Sequence, residues 1–388
     1  MSLKNQLDVL LGQAVKNGDV PGVVAMLTDR EGTTYEAAFG RRSLDSEAPM
    51  RIDSVGLIAS MTKALTSAAA MQLVEQGRLD LYSPASRWLP ELGEVRVLEG
   101  FDANDKPRLR APKTAVTLHH LLTHTAGFSY EFLSADYQRY QAATGTPGFV
   151  SCALDSIRLP LLFDPGERWS YGVSTDWVGR LVEAASGQRL GEYFAEHLLG
   201  PLGMHDTAFR IRPDMRERLA TIHARGADGK LAPMALELPQ QPEFDMGGGG
   251  LYGTMGDYLK FLRMILNGGL SPGGRVLKAE TVAQMSRNQL GDLQVPTIRS
   301  ANRMFTNDLP MPPDNPHYWG LGFMINSKPL QTGRPAGSLM WAGLANSYYW
   351  IDPTNGIGGA LMTQILPFAD VKALPLFLAF EYTTYNPR

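Results

Sequence analysis

Strand-like segments lie at both ends of this chain and enclose a long middle region with a different pattern. Near the start, residues 23–28 and 34–39 are two apolar runs around a polar turn, which is typical of a β-hairpin. Near the end, residues 319–325, 347–351 and 358–364 are strand-like again. Because a strand buries its apolar face within a sheet, we predict one sheet built from both ends of the chain.

The middle region, about residues 80–314, consists of short helices and loops that proline and glycine interrupt throughout. Its clearest helical patterns are Leu118–Leu122, Trp177–Ala185 and Tyr258–Leu266. We therefore predict an α/β domain formed by residues 1–79 and about 315–388, with a mainly helical region inserted between them. A chain of 388 residues is long enough for this organisation.

The composition excludes several classes of protein. Lys and Arg total 36 against 39 Asp and Glu, so the chain lacks the basic excess of a nucleic-acid-binding protein. A hydrophobic fraction of 44% and a charged fraction of 19% are those of an ordinary folded protein. Cys152 is the only cysteine, which excludes an internal disulfide and any CxxC metal or redox motif.

No stretch approaches the roughly 20 apolar residues that a membrane-spanning helix needs. At the N-terminus, Leu7 and Leu11 belong to an apolar stripe with helical spacing, and Lys4, Asp8 and Gln13 interrupt any secretory signal. We interpret this segment as a surface helix and expect a cytoplasmic location without a membrane partner. These patterns do not predict the oligomeric state.

Two glycine motifs match known site signatures but lie in the wrong context. Gly269–Gly273 has the GxSxG pattern around Ser271, yet a helix precedes it and turn residues follow. A nucleophile elbow needs a strand before the serine and a helix after it. Gly248–Gly253 matches GxGxxG, but it lacks the preceding strand and the later acidic residue of a dinucleotide site. We predict a turn at each position.

His120 and His124 have the spacing of a helical metal-binding pair, but the glutamate of an HExxH site is absent. We interpret them as structural histidines at the end of a short helix, and we expect no metal and no organic cofactor. Cys152 has no signature of a nucleophile, so we expect a small core residue.

The segment around Ser60 and Lys63 carries the strongest signal for chemistry. The two residues are three positions apart at the start of a helix predicted over about residues 60–76, so they share one face. The first turn of a helix favours negative charge at Ser60, and a desolvated lysine amine loses its proton near neutral pH. Lys63 is then able to accept the serine proton. A helix cap with an exposed lysine is the alternative that this motif alone leaves open.

Ser60–Lys63 matches the SxxK motif, and together with other short motifs it resembles the serine β-lactamase and penicillin-binding-protein superfamily. Within it, the chain is most similar to the class C β-lactamase-like carboxylesterases, known as family VIII esterases. The other matching segments span most of the chain and are Leu121–Gly127, Pro165–Gly166 with Tyr171, Pro201–Met204, Gly248–Leu251 and Trp350–Pro353. The resemblance implies a β-lactamase/transpeptidase-like α/β plus all-α fold, with an antiparallel sheet from both chain ends, flanking helices and the inserted helical domain.

The resemblance implies that Ser60 is the acylated nucleophile and Lys63 its proton acceptor. Tyr171 matches the family's catalytic tyrosine, which passes the proton to the leaving group and helps to activate the deacylating water. Because an isolated phenol has a pKa of about 10, this role needs a tyrosinate or a proton shared with Lys63. A partly buried packing role is the alternative for Tyr171.

The third motif of the family is a KTG-type strand, and its counterpart here is Trp341–Leu344. The resemblance implies that this strand runs beside the nucleophile and that the N–H groups of Ser60 and Leu344 form the oxyanion hole. Trp341 and Gly343 are then expected to bind substrate.

Two departures from class C β-lactamases bear on the substrate. Val173 stands where those enzymes have asparagine, and Trp341 with Ala342 replaces the Lys-Thr of KTG. The site loses a cation and a hydroxyl and gains an apolar wall. We therefore expect an ester substrate that needs no carboxylate, while weak β-lactam hydrolysis stays open.

Tyr130 and Asp176 complete the expected site. Related esterases have a tyrosine and an acid at matching places, so we predict that both residues contribute to substrate binding. Packing for Tyr130 and helix capping for Asp176 are equally good interpretations. The aromatic segment Phe128–Tyr140 is either a wall of the acyl pocket or part of the core.

The predicted function is a serine carboxylesterase that cleaves esters of short to medium acyl chains through an acyl-enzyme at Ser60. Its expected partner is a small-molecule ester, with no nucleic acid. Three alternatives stay open: an amide or D-amino-acid peptide hydrolase, an acyltransferase that passes the acyl group to an alcohol, and a non-catalytic binding scaffold.

Overall fold

Sixteen β-strands lie within residues 1–387, the part of the chain that the computed structural model describes. In chain order they are β1 (Gly22–Thr28), β2 (Thr33–Gly40), β3 (Gly56–Leu57), β4 (Val97–Phe101), β5 (Pro107–Arg110), β6 (Ile222–Arg225), β7 (Leu231–Met234), β8 (Tyr252–Gly253), β9 (Leu270–Ser271), β10 (Gly274–Arg275), β11 (His317–Trp319), β12 (Met324–Asn326), β13 (Leu339–Gly343), β14 (Ser347–Asp352), β15 (Ile357–Met362) and β16 (Ile365–Leu366). Seven strands form the main sheet, in the order β11-β12-β13-β14-β15-β1-β2, and all neighbours in it are antiparallel. Because β1 pairs directly with β15, the prediction of one sheet from both chain ends is confirmed.

Eleven α-helices occupy the same described residues. In chain order they are α1 (Leu3–Lys16), α2 (Thr62–Glu75), α3 (Leu118–Leu122), α4 (Ala135–Thr144), α5 (Ser174–Ser186), α6 (Leu190–Phe194), α7 (Gly200–Leu202), α8 (Pro213–Arg216), α9 (Met255–Leu266), α10 (Ala279–Met285) and α11 (Ala373–Tyr385). None of the helices within residues 1–387 combines the length and the apolar character that crossing a membrane requires.

Different helices cover the two faces of the main sheet. Side chains alternate along a strand, so Val23, Ala25 and Leu27 of β1 pack in one apolar cluster with α1 and α11. Val24 and Met26 lie on the opposite face, in the larger cluster that contains α2. On that face α9 packs against β1, β14 and β15, although it lies in the middle region of the sequence. The predicted domain boundaries stay a prediction.

One predicted strand was wrong. Residues 319–325 form parts of two strands, β11 and β12, which pair antiparallel with His317 opposite Asn326. The chain reverses between them, and Gly322 adopts a φ of +102° that residues with a side chain rarely reach. The apolar run is therefore a tight hairpin at the edge of the main sheet.

The sequence pattern did not predict several short strands, most of which lie in the middle region. They pair as β4-β5, β9-β10, β3-β8 and β6-β7, and β16 extends the last pair in parallel. None of these strands exceeds five residues. A period of two has too few repeats to be recognised over such lengths.

Candidate active site

Ser60 lies at the entry to α2, beside the main sheet. A 3₁₀ turn, Ala59–Met61, leads directly into the helix, so Ser60 stands at the end where the helix dipole favours negative charge. Ala59 has a φ of +45°, a conformation that is uncommon for residues with a side chain. The chain therefore bends sharply just before the serine.

Contacts from distant parts of the chain brace this turn. The hydroxyl of Tyr258 in α9 donates to the carbonyl oxygen of Met61 at 2.9 Å. The N–H of Ile58 donates to the carbonyl oxygen of Leu251 at 3.0 Å. Sequence reasoning missed Tyr258, because 197 residues separate it from Met61 and no local motif marks it.

Lys63 is buried, with 1% of its surface exposed, and its amine lies among three oxygen atoms. Nζ is 3.3 Å from Ser60 Oγ, 3.0 Å from the hydroxyl of Tyr130 and 2.6 Å from the carbonyl oxygen of Gly248. Burial lowers the pKa of Lys63 to about 7, and the negative charge of Asp176 opposes that shift only in part. An uncharged amine is therefore well populated near neutral pH.

Asp176 supports Lys63 from behind the glycine loop. Its Oδ1 accepts the N–H of Gly248 at 2.8 Å, and a Cβ on Gly248 would lie only 2.5 Å from Oδ2. Burial raises the pKa of Asp176, while the charge of Lys63 and the N–H of Gly248 oppose the increase. The carboxylate does not line the pocket in front of Ser60, because the first turn of α5 directs it at this loop. The contribution of Asp176 to substrate binding stays a prediction, and in the structure its carboxylate contacts the loop that holds Lys63.

Tyr171 lies beside the amine of Lys63 and the hydroxyl of Ser60. Its ring centre is 4.6 Å from Lys63 Nζ, and its hydroxyl accepts the indole N–H of Trp341 at 3.0 Å. Burial raises the pKa of Tyr171, and hydrogen bonds with Ser60 and Trp341 oppose this shift only in part. The phenol therefore keeps its proton at neutral pH, so a tyrosinate is not the resting state.

Tyr130 joins the polar groups to the pocket. Its hydroxyl accepts from Lys63, and its ring stacks on Phe132 with centres 4.9 Å apart. Ser60, Lys63, Tyr130, Tyr171 and Asp176 thus form one connected group, which we call the catalytic corner.

An apolar pocket opens in front of Ser60. Within residues 1–387, no Asp, Glu, Lys or Arg side chain lines it. Its walls include Tyr130, Phe132, Leu133, Phe149, Val150, Leu236, Leu238, Met246, Ile298, Trp341, Leu344 and Phe368, and we call this set the apolar pocket. Both interpretations of the segment Phe128–Tyr140 hold in part, because Tyr130 and Phe132 line the pocket whereas Phe128 lies in the core.

The end of β13 lies against the turn that carries Ser60. A Cβ on Gly343 would lie 2.4 Å from the carbonyl oxygen of Ile58, so only glycine permits this approach. Leu344 follows directly, and both it and Ser60 line the apolar pocket. Val173 is fully buried at the start of α5 and is not among the pocket residues.

The other motifs lie where the sequence context predicted. Ser271 is in the β9-β10 hairpin, and its hydroxyl donates to the carbonyl oxygens of Pro201 and Gly274. His120 Nδ1 accepts the N–H of Thr117 in a helix cap. Residues 1–387 contain no group of three or more His, Cys, Asp or Glu side chains that could hold a metal ion.

The glycine motif has a second role that sequence reasoning missed. It is a turn, as predicted, but the carbonyl oxygen of Gly248 also holds Lys63. The interpretation as a close-packed turn was correct and incomplete. Only the contact itself reveals this role, since the two residues are 185 positions apart.

Comparisons with known proteins show which family this chain belongs to. A sequence model of the Beta-lactamase family matches residues 7–381. Monacolin J acid methylbutanoyltransferase of Aspergillus terreus is 33% identical, over 98% of this chain and 95% of that protein. Lovastatin esterase of Penicillium rubens is 31% identical, over 98% of both chains.

Solved structures agree with the sequence relatives. A LovD6 mutant of simvastatin synthase from Aspergillus terreus superposes with a TM-score of 0.87 and 32% identity, over 99% of this chain and 94% of that one. The β-lactamase/transpeptidase-like fold expected from the resemblance is therefore confirmed. The chain belongs to the Beta-lactamase family, and the relatives that it matches include proteins named as an acyltransferase and as an esterase.

Proposed function

We propose that this protein cleaves carboxylic esters of short to medium acyl chains through an acyl-enzyme on Ser60. The observation that carries the proposal is the place of Lys63, whose buried amine touches the oxygen of Ser60 and has a pKa lowered to about 7. A lysine with this pKa accepts a proton at neutral pH. A helix cap with an exposed lysine would show neither the burial nor the contact.

The three neighbours of Lys63 suit its uncharged form. An uncharged amine has two N–H donors and one lone pair, and the carbonyl oxygen of Gly248 and the hydroxyl of Tyr130 accept the two donors. The lone pair is then left for the O–H of Ser60. As Oγ attacks the ester carbonyl carbon, its proton moves to Lys63 and the carbonyl oxygen becomes negatively charged.

Tyr171 supplies the proton that the leaving alcohol needs. Its hydroxyl oxygen accepts from Trp341, so its own proton is free to point at the reacting oxygens. When the C–O bond of the ester breaks, the alkoxide takes the proton of Tyr171, which recovers one from Lys63. Water then repeats these steps in reverse and releases the acid.

The N–H groups of Ser60 and Leu344 are the proposed oxyanion hole. The close approach of Gly343 to Ile58 supports this assignment, because it brings the backbone after β13 beside the nucleophile. Each such donor contributes about 2.7–4 kcal/mol of transition-state stabilisation. Trp341 and Gly343 are also proposed to contact the bound ester.

The absence of charged side chains from the described pocket walls supports an uncharged ester as substrate. A carboxylate would lose its hydration there without gaining a cation. A second function is favoured by the relative named as a methylbutanoyltransferase: transfer of the acyl group to an alcohol instead of water. Both functions use the same acyl-enzyme.

Labelling with a fluorophosphonate probe, followed by peptide mapping, tests the nucleophile. We expect one adduct, on Ser60, and a matching loss of p-nitrophenyl butyrate hydrolysis. Ser271→Ala should label like the wild type, and Ser60→Ala should neither label nor turn over substrate. A label on Ser271, or turnover by Ser60→Ala, would contradict the proposal.

The ratio of hydrolysis to transfer needs a separate measurement. The purified protein is given p-nitrophenyl butyrate with and without an added primary alcohol, and both butyric acid and butyrate ester are quantified. Acid as the main product supports the esterase, and ester formation faster than hydrolysis supports the acyltransferase. Hydrolysis of an amide substrate, measured in parallel, tests the alternative of an amide hydrolase.

A further inference from the structure

His124 lies against the catalytic tyrosine and has no part in the steps above. It follows α3, and its carbonyl oxygen accepts the N–H of Ser170, the residue just before Tyr171. Its imidazole is fully buried, with its centre 4.9 Å from the ring of Tyr171. Backbone and side chain of one residue therefore both act on the segment that carries the tyrosine.

A chain of ring contacts leads from His124 back to the same hydroxyl. The imidazole meets the ring of Trp319 edge to face at 5.1 Å, and Trp319 meets Trp341 edge to face at 4.7 Å. The indole N–H of Trp341 then donates to the hydroxyl of Tyr171. His124 thus contacts the phenol ring directly and the donor to its hydroxyl through one tryptophan.

Histidine is an unfavourable residue for a purely structural role at this place. Its buried Nδ1 has no hydrogen-bond partner within residues 1–387, which destabilises the fold. An apolar side chain would avoid this cost. Its φ of +57° is in the left-handed region, which histidine adopts more often than most residues with a side chain, so the backbone alone does not explain the cost. An unpartnered buried polar atom on a residue that touches Tyr171 points to a function.

The charge state of His124 suits a site that depends on Lys63. Burial lowers the pKa of His124 well below its usual range, and the positive charge of Lys63 lowers it further. The imidazole is therefore uncharged at neutral pH. It fills the space behind Tyr171 with a small aromatic ring and brings no second cation near the amine.

We propose that His124 is a positioning residue, which holds Tyr171 and, through Trp319 and Trp341, its hydroxyl in place for proton transfer at Ser60. The inference rests on the proposed function. A five-membered ring fits between Tyr171 and Trp319, whereas a larger ring would displace them and a smaller side chain would leave a gap.

His124→Asn and His124→Phe test this role in a double-mutant cycle with Tyr171→Phe. Asparagine tolerates the backbone conformation and removes the ring, and phenylalanine keeps a ring of the wrong size. We expect each to lower kcat for an alkyl ester such as ethyl butyrate about 10-fold, with KM within about 2-fold of wild type. In the Tyr171→Phe background the same changes should cost less than about 2-fold, because His124 acts through the phenol.

Equal losses in both backgrounds, or no loss in either, would overturn the inference. Loss of folding by both variants, judged by thermal unfolding, would assign His124 to stability alone and overturn it too. His119→Phe, a neighbour outside the catalytic corner, is the matched control and should keep wild-type kcat. Failure of the proposed function is distinguishable, since the wild type would then carry no label on Ser60.

Discussion

The catalytic corner and the apolar pocket meet at Ser60 and differ in almost every physical respect. The corner contains a buried amine and a buried carboxyl group, those of Lys63 and Asp176, whose polar atoms contact other polar atoms at 2.6–3.3 Å. The pocket has no charged side chain on its described walls and is closed by aromatic and aliphatic groups. The catalytic corner is suited to proton transfer, and the apolar pocket is suited to selecting substrates by their shape.

The two regions should differ in how well they tolerate substitution. Hydrogen bonds in the corner are directional, and a buried amine without its partners is costly, so single changes there should affect turnover strongly. Apolar contacts in the pocket are non-directional and scale with area. Changes there should alter which ester is preferred and leave the proton transfers intact.

The largest effect is expected for Lys63→Met. Methionine fills a similar volume but has no proton acceptor, so hydrolysis of p-nitrophenyl butyrate should fall at least about 10³-fold. Thermal unfolding should show at most a modest loss of stability, because burial of an apolar group in place of the amine offsets the hydrogen bonds lost by Gly248 and Tyr130. Lys106→Met, at an exposed position, is the control for the substitution itself. Retention of a tenth of the activity would remove Lys63 from the mechanism.

Tyr171→Phe is expected to have the next largest effect. Removal of the phenol O–H takes away the proton donor for the leaving alcohol, so kcat should fall about 10²-fold, as is typical for an acid–base group. Esters with a good leaving group, such as p-nitrophenol, should lose less than alkyl esters do, because their leaving group needs no proton. Equal losses on both kinds of ester would contradict the assigned role.

A smaller effect is expected for Trp341→Phe, which removes the hydrogen bond to the hydroxyl of Tyr171. We expect kcat to fall about 10-fold, since the donor orients the phenol and takes no proton itself. Trp350→Phe is a close control, because its indole N–H also donates to a tyrosine hydroxyl, that of Tyr385, and neither residue lines the pocket. A loss of kcat in the control as large as in Trp341→Phe would show an effect on folding alone.

The smallest effect is expected in the apolar pocket. Phe149→Ala enlarges the pocket, so the ratio of kcat/KM for octanoate to that for butyrate should rise about 5-fold. The rate of Ser60 labelling should stay unchanged, since Phe149 lies outside the catalytic corner. Phe101→Ala, a partly buried position elsewhere, should leave the ratio as it is. An unchanged ratio in Phe149→Ala would exclude that wall from binding the acyl chain.

Sequence patterns predicted the architecture because it depends on local signals that lie at the two chain ends. The runs that became β1, β2, β14 and β15 have strand-like composition and clear turn residues around them. The single strand predicted over residues 319–325 was wrong, because an apolar run of that length also fits a hairpin around glycine. The short strands of the middle region have too few residues for any periodicity.

In the site, short motifs marked Ser60, Lys63 and Tyr171, and the structure brings these three together. The supporting residues had no such signal. Gly248 and Tyr258 contact the α2 region across 185 and 197 residues of sequence, and such contacts depend on the tertiary fold. Asp176 was predicted as a site residue, but its contact with Gly248 was not, because the sequence does not say which way a buried carboxylate faces.

The central claim is that uncharged Lys63 activates Ser60, and the pH dependence of fluorophosphonate labelling tests it most directly. Labelling requires attack by Ser60 but no proton for a leaving alcohol. Since the folded protein lowers the pKa of Lys63 to about 7, the uncharged base should accumulate as the pH rises through this value. We expect a labelling rate that increases with pH around a midpoint near 7 and then levels off. A rate that does not change between about pH 5.5 and 9, or that rises only toward the usual lysine pKa above 10, would contradict it.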